Sequence, residues 1–238
     1  MYNGFVKGNI TQVVTFISIN LYILLTNLRK RRIQKKRQWR RKMNKQKTKN
    51  LSFMSLFIAI EILMVMVPFL GFIPIGPLRA TTLHIPVIIA GIVLGKKQGA
   101  GIGLVFGISS LVINTIQPTL TSFVFSPFIS KSLMSAVIAI VPRVLIGYIA
   151  GLLFEKLKDK NEFMAMIVGS FLGAMTNTIL VLGGIYFIFG SQYASAIGKD
   201  LSALFPYLIG IITTSGLLEA IVGTMIAVMV SRILIKLK

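Results

Sequence analysis

The run Leu133-Met-Ser-Ala-Val-Ile-Ala-Ile-Val-Pro-Arg-Val-Leu-Ile-Gly-Tyr-Ile-Ala-Gly-Leu-Leu-Phe154 holds a single charged residue, Arg143, in an otherwise apolar stretch. A hydrocarbon core of about 30 Å takes about 20 apolar residues in a helix, so this stretch reads as a membrane span. Five more stretches read the same way, at about 51–72, 80–95, 99–117, 163–189 and 204–235. The second is short enough to be a tilted or partly re-entrant piece. Apolar residues make up 55% of the chain, charged residues 13%, and the mean hydropathy is +0.82. A soluble domain carries about 25% charged residues, and barrel strands alternate at every second position. The expected fold is an all-α integral membrane protein, a bundle of six transmembrane helices with both termini cytoplasmic.

The net charge of +20 suggests nucleic acid until it is located. Eleven of the 26 Lys/Arg fall in residues 1–42, ten of them between Arg29 and Lys42, with no acidic residue among them. Beside membrane spans such a run reads as a cytoplasmic flank or a lipid-headgroup contact. Trp39 is its only aromatic and no binding module accompanies it, so no nucleic-acid partner is expected. Residues 10–28 are only moderately apolar, a weak extra anchor. Met43-Asn-Lys-Gln-Lys-Thr-Lys-Asn50 looks like an ordinary cytoplasmic start, so the expected division is a basic leader at 1–42, an upstream extension or weak extra anchor, and a six-helix transmembrane domain at 43–238.

Basic residues in short loops set the orientation. With residue 43 inside, eleven Lys/Arg fall in inside loops and three, Arg79, Lys131 and Lys199, in outside ones. The Pro/Gly-broken connector Pro68–Pro86, the segment Gln117–Ser132 and the segment Gly190–Ala203 then face outward together, as loops over a site reached from outside. Gly99, Gly103 and Gly107, Gly147 and Gly151, and Ala165, Gly169 and Gly173 recur at four-residue spacing, which marks close helix–helix contacts.

Polar groups inside the spans are costly and so more informative. Arg143 needs a partner near mid-membrane. Either Glu219 or Glu61 pairs with it as a structural bridge, or it receives an anionic substrate. Asn114, Thr115 and Thr176-Asn177-Thr178 supply neutral donors and acceptors for a ligand or between helices. His84 reads as a loop anchor and Arg79 as an interfacial cation, both in the connector. Gly91-Ile-Val-Leu-Gly95-Lys96-Lys97 has the wrong spacing for a phosphate loop. Cysteine is absent and histidine occurs once, so thiolate metal sites and a Ser/His triad are unsupported. No enzymatic activity, metal or cofactor is expected of this chain.

Residues 43–238 resemble the substrate-binding S components of energy-coupling factor (ECF) vitamin transporters. The resemblance rests on Ile73-Pro-Ile-Gly76, Leu83-His-Ile-Pro-Val-Ile-Ile89 with Leu94-Gly95, Phe106-Gly107 through Ser110, Ser122-Phe-Val-Phe-Ser-Pro-Phe128, Pro142-Arg-Val-Leu-Ile-Gly147 and Asn177-Thr178. Together these are most similar to the pantothenate-type members. The resemblance implies a bacterial plasma-membrane protein that captures a small-molecule vitamin from outside and docks on a transmembrane coupling subunit. Two partner ATPase subunits use the ATP. Docking in the family uses Ala-x-x-x-Ala on the first helix, matched here by Ser55 and Ala59 with a departure at the first position. For pantothenate, an anion with an amide and two hydroxyls, the implied contacts are Arg143 or Arg79 to the carboxylate and Asn114, Asn177 and Thr178 to the rest, with His84 beside them. An S component for another vitamin or small metabolite, or an ion-coupled secondary transporter built on Glu61 and Glu219, are the alternatives.

Overall fold

In a computed structural model that describes residues 29–32, 34–36, 43, 48–67, 71–75 and 78–237, and side chains except those of 72–80, α1 runs Thr48–Met66. It stops ahead of Pro68, whose ring disfavours helical backbone in the residue before it. Most of the leader, and its reading as an extension or anchor, lies outside the described residues. Residues 52–238 form one compact unit and residues 1–51 another.

After α1 come two short antiparallel strands, β1 (Phe72–Ile75) and β2 (Leu78–Thr81), paired from Phe72↔Thr81 to Ile75↔Leu78. They take only the first two residues of the expected 80–95 span, Ala80 and Thr81. Most of the rest is α2 (His84–Leu94), only 11 residues long and buried at every position, about 16 Å at 1.5 Å per residue. Gly95, with φ of 107°, a value that favours glycine, turns the chain into α3 (Lys96–Ile116). Glu155 braces this corner: its Oε2 lies 2.8 Å from Lys96 Nζ and its Oε1 accepts from the Lys96 N–H at 3.4 Å. The glycine–lysine stretch that superficially suggested a phosphate loop is therefore a helix corner.

Gln117–Ser132 holds a 3₁₀ turn at Ser122–Val124 and the single-turn helix α4 (Pro127–Ser130). Next come α5 (Leu133–Leu157) and α6 (Glu162–Ala196). The expected outward loop at Gly190–Ala203 is overturned in its first half. α6 bends at Phe189 (φ −120°, ψ 16°) and continues to Ala196, because Ser-Gln-Tyr-Ala-Ser-Ala after Gly190 contains no proline to stop it. Leu201 and Leu204 lie beside Gly190 at the bend. The last span is α7 (Leu201–Ile211), a π-helical turn at Ile212–Gly216, and α8 (Leu217–Leu237). Among the described residues five helical segments are long and apolar enough to cross a membrane: α1, α3, α5, α6 and the α7–α8 run.

The glycine stripes are the bundle's seams. A Cβ on Gly99 would meet Gly91 Cα and the Gly147 carbonyl, one on Gly103 the Arg143 carbonyl, one on Gly107 Ile140, and one on Gly173 the Ile146 carbonyl. Backbones in direct contact let α2, α3, α5 and α6 pack without side chains between them. Two apolar clusters result. One, around Ile88, Ile102, Ile146 and Ala165, fills the end toward Gly95, and the other, around Val124, Ile138, Ile185 and Leu204, fills the end toward Gln117–Ser132.

Candidate functional site

Between these clusters lies the arginine. Pro142 stands inside α5 and has no N–H to give, so the carbonyl four residues back, Ile138, lacks its helical donor. Arg143 supplies one, its Nη1 donating to Ile138 O at 2.7 Å. The guanidinium carbon lies 4.9 Å from the centre of the Phe125 ring and 5.6 Å from that of Phe106, within cation–π range. Arg143 is 7% exposed, and its Nε has no hydrogen-bond partner.

Neither carboxylate expected as a partner provides one. No described Asp or Glu lies within ion-pair distance of Arg143. Glu219 instead accepts from Thr81 Oγ1 at 3.2 Å, and both oxygens of the fully buried Glu61 lack partners. The structural-bridge reading therefore fails: the strand hairpin, not α5, takes up Glu219. A buried cation costs at least about 2.5 kcal/mol at mid-membrane, and here no protein anion offsets that cost.

The packing register shows what shares this level. α5 and α6 run antiparallel, with Ile146 against Gly173 and Ile138 against Gly184, so Arg143 is level with Asn177 and Thr178. Thr178 in turn packs on Gly216, the end of the π-helical turn. The Asn177 Oδ1 and the neighbouring Ser215 Oγ are both buried without a hydrogen-bond partner. π-turns widen a helix and concentrate at functional sites. Arg143 Nε, Asn177 Oδ1 and Ser215 Oγ are thus three buried, unpartnered polar groups on the contacting elements α5, α6 and the π-helical turn, the candidate polar floor of a site.

Above the floor, Gln117–Ser132 is stitched down by hydroxyls. Ser122, fully buried, donates to Asn114 Oδ1 at 2.9 Å and accepts from the Thr119 N–H at 2.8 Å and from Thr119 Oγ1 at 3.1 Å. Asn114 Nδ2 donates to Ser110 O at 2.8 Å. Ser126 and Thr115 hydroxyls lie 2.7 Å apart, and Ser135 Oγ donates to Phe123 O at 2.7 Å. Asn114 is thus largely committed to holding this segment, with one amide N–H to spare. Ser122→Ala should cost about 1–3 kcal/mol by stranding these partners. Faster amide hydrogen exchange confined to residues 117–132 is the expected readout.

The remaining expected residues fall elsewhere. His84 is buried at the start of α2, beside the backbone of Thr81 and Glu219 and over Gly223, with Nε2 unpartnered. It lies deep in the bundle, facing α8, rather than in an outer loop. Arg79 is in β2 opposite Pro74, and its side chain lies outside the described residues. Ser55 and Ala59 are exposed on α1, among exposed apolar side chains such as Leu56 and Leu63. Sequence reasoning missed Phe106, Phe125, Ser122, Ser215 and the part played by Pro142. A proline directly before a mid-span arginine was the one available signal.

A groove of about 410 Å³ at the α6 bend is lined by Phe189, Gly190, Ser191 and Leu201. Phe187 beside it is 84% exposed, so it opens to the surroundings and lacks the buried polar floor.

Residues 49–231 match the family described as ECF transporter, substrate-specific component. The chain is 35% identical over 192 residues to the pantothenic acid transporter PanT of Lactococcus lactis subsp. cremoris, an alignment covering 77% of this chain and 92% of that protein. It is 32% identical over 203 residues to the pantothenate transporter PanT of Leuconostoc mesenteroides subsp. mesenteroides, covering 81% and 95%. With that coverage, and with apolar helices to match, the chain is a multi-pass plasma-membrane protein belonging to the substrate-specific components of ECF transporters.

Proposed function

We propose that this chain captures pantothenate from outside the cell and hands it inward after docking on an ECF coupling module. One observation carries the substrate reading: Arg143 is a buried cation with no protein anion and a free Nε. Pantothenate has one carboxylate to meet it, and hydroxyls and an amide for the polar floor. Asn177, Thr178 and Ser215 serve those groups, with the spare N–H of Asn114 above them. The names of the two relatives support the same ligand.

In this reading the bundle crosses the membrane six times, α2 with its hairpin counting as the second crossing, and both termini are cytoplasmic. The exposed α1 face with Ser55 and Ala59 docks on the transmembrane coupling subunit, and two ATPase subunits supply the energy, so this chain needs no cofactor. Mass spectrometry of the small molecule that co-purifies with detergent-solubilised protein tests the substrate. Pantothenate is expected; riboflavin or folate would keep the family and discard this ligand.

A further inference from the structure

Arg143 does not hold its position alone. We infer that Pro142 is a positioning residue for the anion contact. By withholding a backbone N–H from Ile138 O, it leaves a carbonyl that ties down Nη1 of Arg143 and frees the rest of the guanidinium for a carboxylate. The inference rests on the capture of an anionic ligand by Arg143 and adds the device that prepares it.

Three observations meet here. Proline inside α5 removes one helical donor, and the acceptor it deserts is the one that Arg143 uses, at 2.7 Å. A guanidinium has five N–H donors, so spending one on Ile138 leaves four, Nε among them, and Nε has no partner. Phe106 and Phe125 hold the same group by the attraction of their ring faces for a cation. An arginine fixed before the ligand arrives loses less freedom on binding. With an ordinary residue at 142, the helix N–H takes the Ile138 carbonyl. A shared acceptor then holds Nη1 more weakly, and the guanidinium is released.

The decisive comparison uses pantothenate and panthenol, its uncharged alcohol, in which the carboxylate is replaced by a hydroxymethyl group. In Pro142→Ala the Kd for pantothenate should rise about tenfold while that for panthenol stays put, since only the charge contact is loosened. The melting temperature should hold or rise, because a helical hydrogen bond is restored. Pro206→Ala, which removes the proline inside α7, should change neither affinity. Equal weakening for both ligands, or none for pantothenate, overturns the inference. A ligand-independent arm separates it from the substrate reading: in ¹⁵N-arginine-labelled protein, slow guanidinium rotation at Arg143 should turn fast in Pro142→Ala. Unchanged rotation overturns the positioning role. Wild-type protein that binds no pantothenate yet shows the rotation change discards the ligand and keeps the role.

Discussion

Arg143→Ala is expected to abolish high-affinity capture of pantothenate, raising Kd at least about 30-fold in titration calorimetry on detergent-solubilised protein. Removing one side of a buried, hydrogen-bonded charge pair costs about 2–5 kcal/mol, which is about 30-fold to several-thousand-fold in affinity. The loss should sit in the ligand contact rather than in folding. Wild-type protein carries a buried cation with no protein anion, and truncation removes that desolvation cost along with the hydrogen bond to Ile138 O. Truncation also strands the Ile138 carbonyl, which Pro142 leaves without a helical donor, so the two effects oppose each other and the melting temperature should change by only a few degrees while affinity collapses. Arg143→Lys keeps the charge but loses the planar fork that grips a carboxylate by two hydrogen bonds, so its affinity should fall between the two. Wild-type affinity in Arg143→Ala would falsify the site.

The sequence could not assign Arg143 for a physical reason. An arginine and two glutamates in separate spans admit a structural pair, and nothing in composition chooses among them. What decides is which element reaches Glu219 first. The connector folds back as a hairpin whose last residue, Thr81, takes that carboxylate at 3.2 Å. The spans themselves were legible because a bilayer demands about 20 apolar residues at a time, and the glycine stripes because close backbone approach needs a residue without a side chain at every fourth position. Boundaries were less so. The α6 helix runs past Gly190 because nothing forbids it, and α2 is held to 11 residues between the hairpin that ends at Thr81 and the Gly95 corner. The hydroxyl network over the site was invisible for another reason. Ser122, Asn114 and Ser135 are ordinary membrane-helix polar residues until tertiary packing brings them within 3 Å of partners in other elements.

Gly147→Leu should be the most damaging single change outside the site, and it tests whether the seam holds the arginine as well as the fold. A side chain at 147 would meet the Gly99 backbone, and Gly99 itself sits against Gly91 Cα and the Gly147 carbonyl. Three helices thus touch through backbone at one point. Overpacking against side chains costs about 1–3 kcal/mol because they can turn away. Backbone cannot, so α3 must move off α5, with a cost at or above the top of that range. Loss of the monodisperse peak in size-exclusion chromatography, or a melting temperature lower by about 10 °C or more, is the expected outcome. Gly183→Ala, where an added Cβ meets nothing within 4 Å, should leave the protein intact and gain about 0.5–1 kcal/mol from helix propensity. Gly103→Ala joins the two arguments, because its Cβ would strike the carbonyl of Arg143 itself. A variant there that survives folding should bind pantothenate more weakly than its stability explains, since the displaced atoms are those that carry the guanidinium. If Gly147→Leu melts with wild-type protein, α2, α3 and α5 are not in backbone contact at this point, and the seam that sets the Arg143 backbone against Gly103 loses its basis.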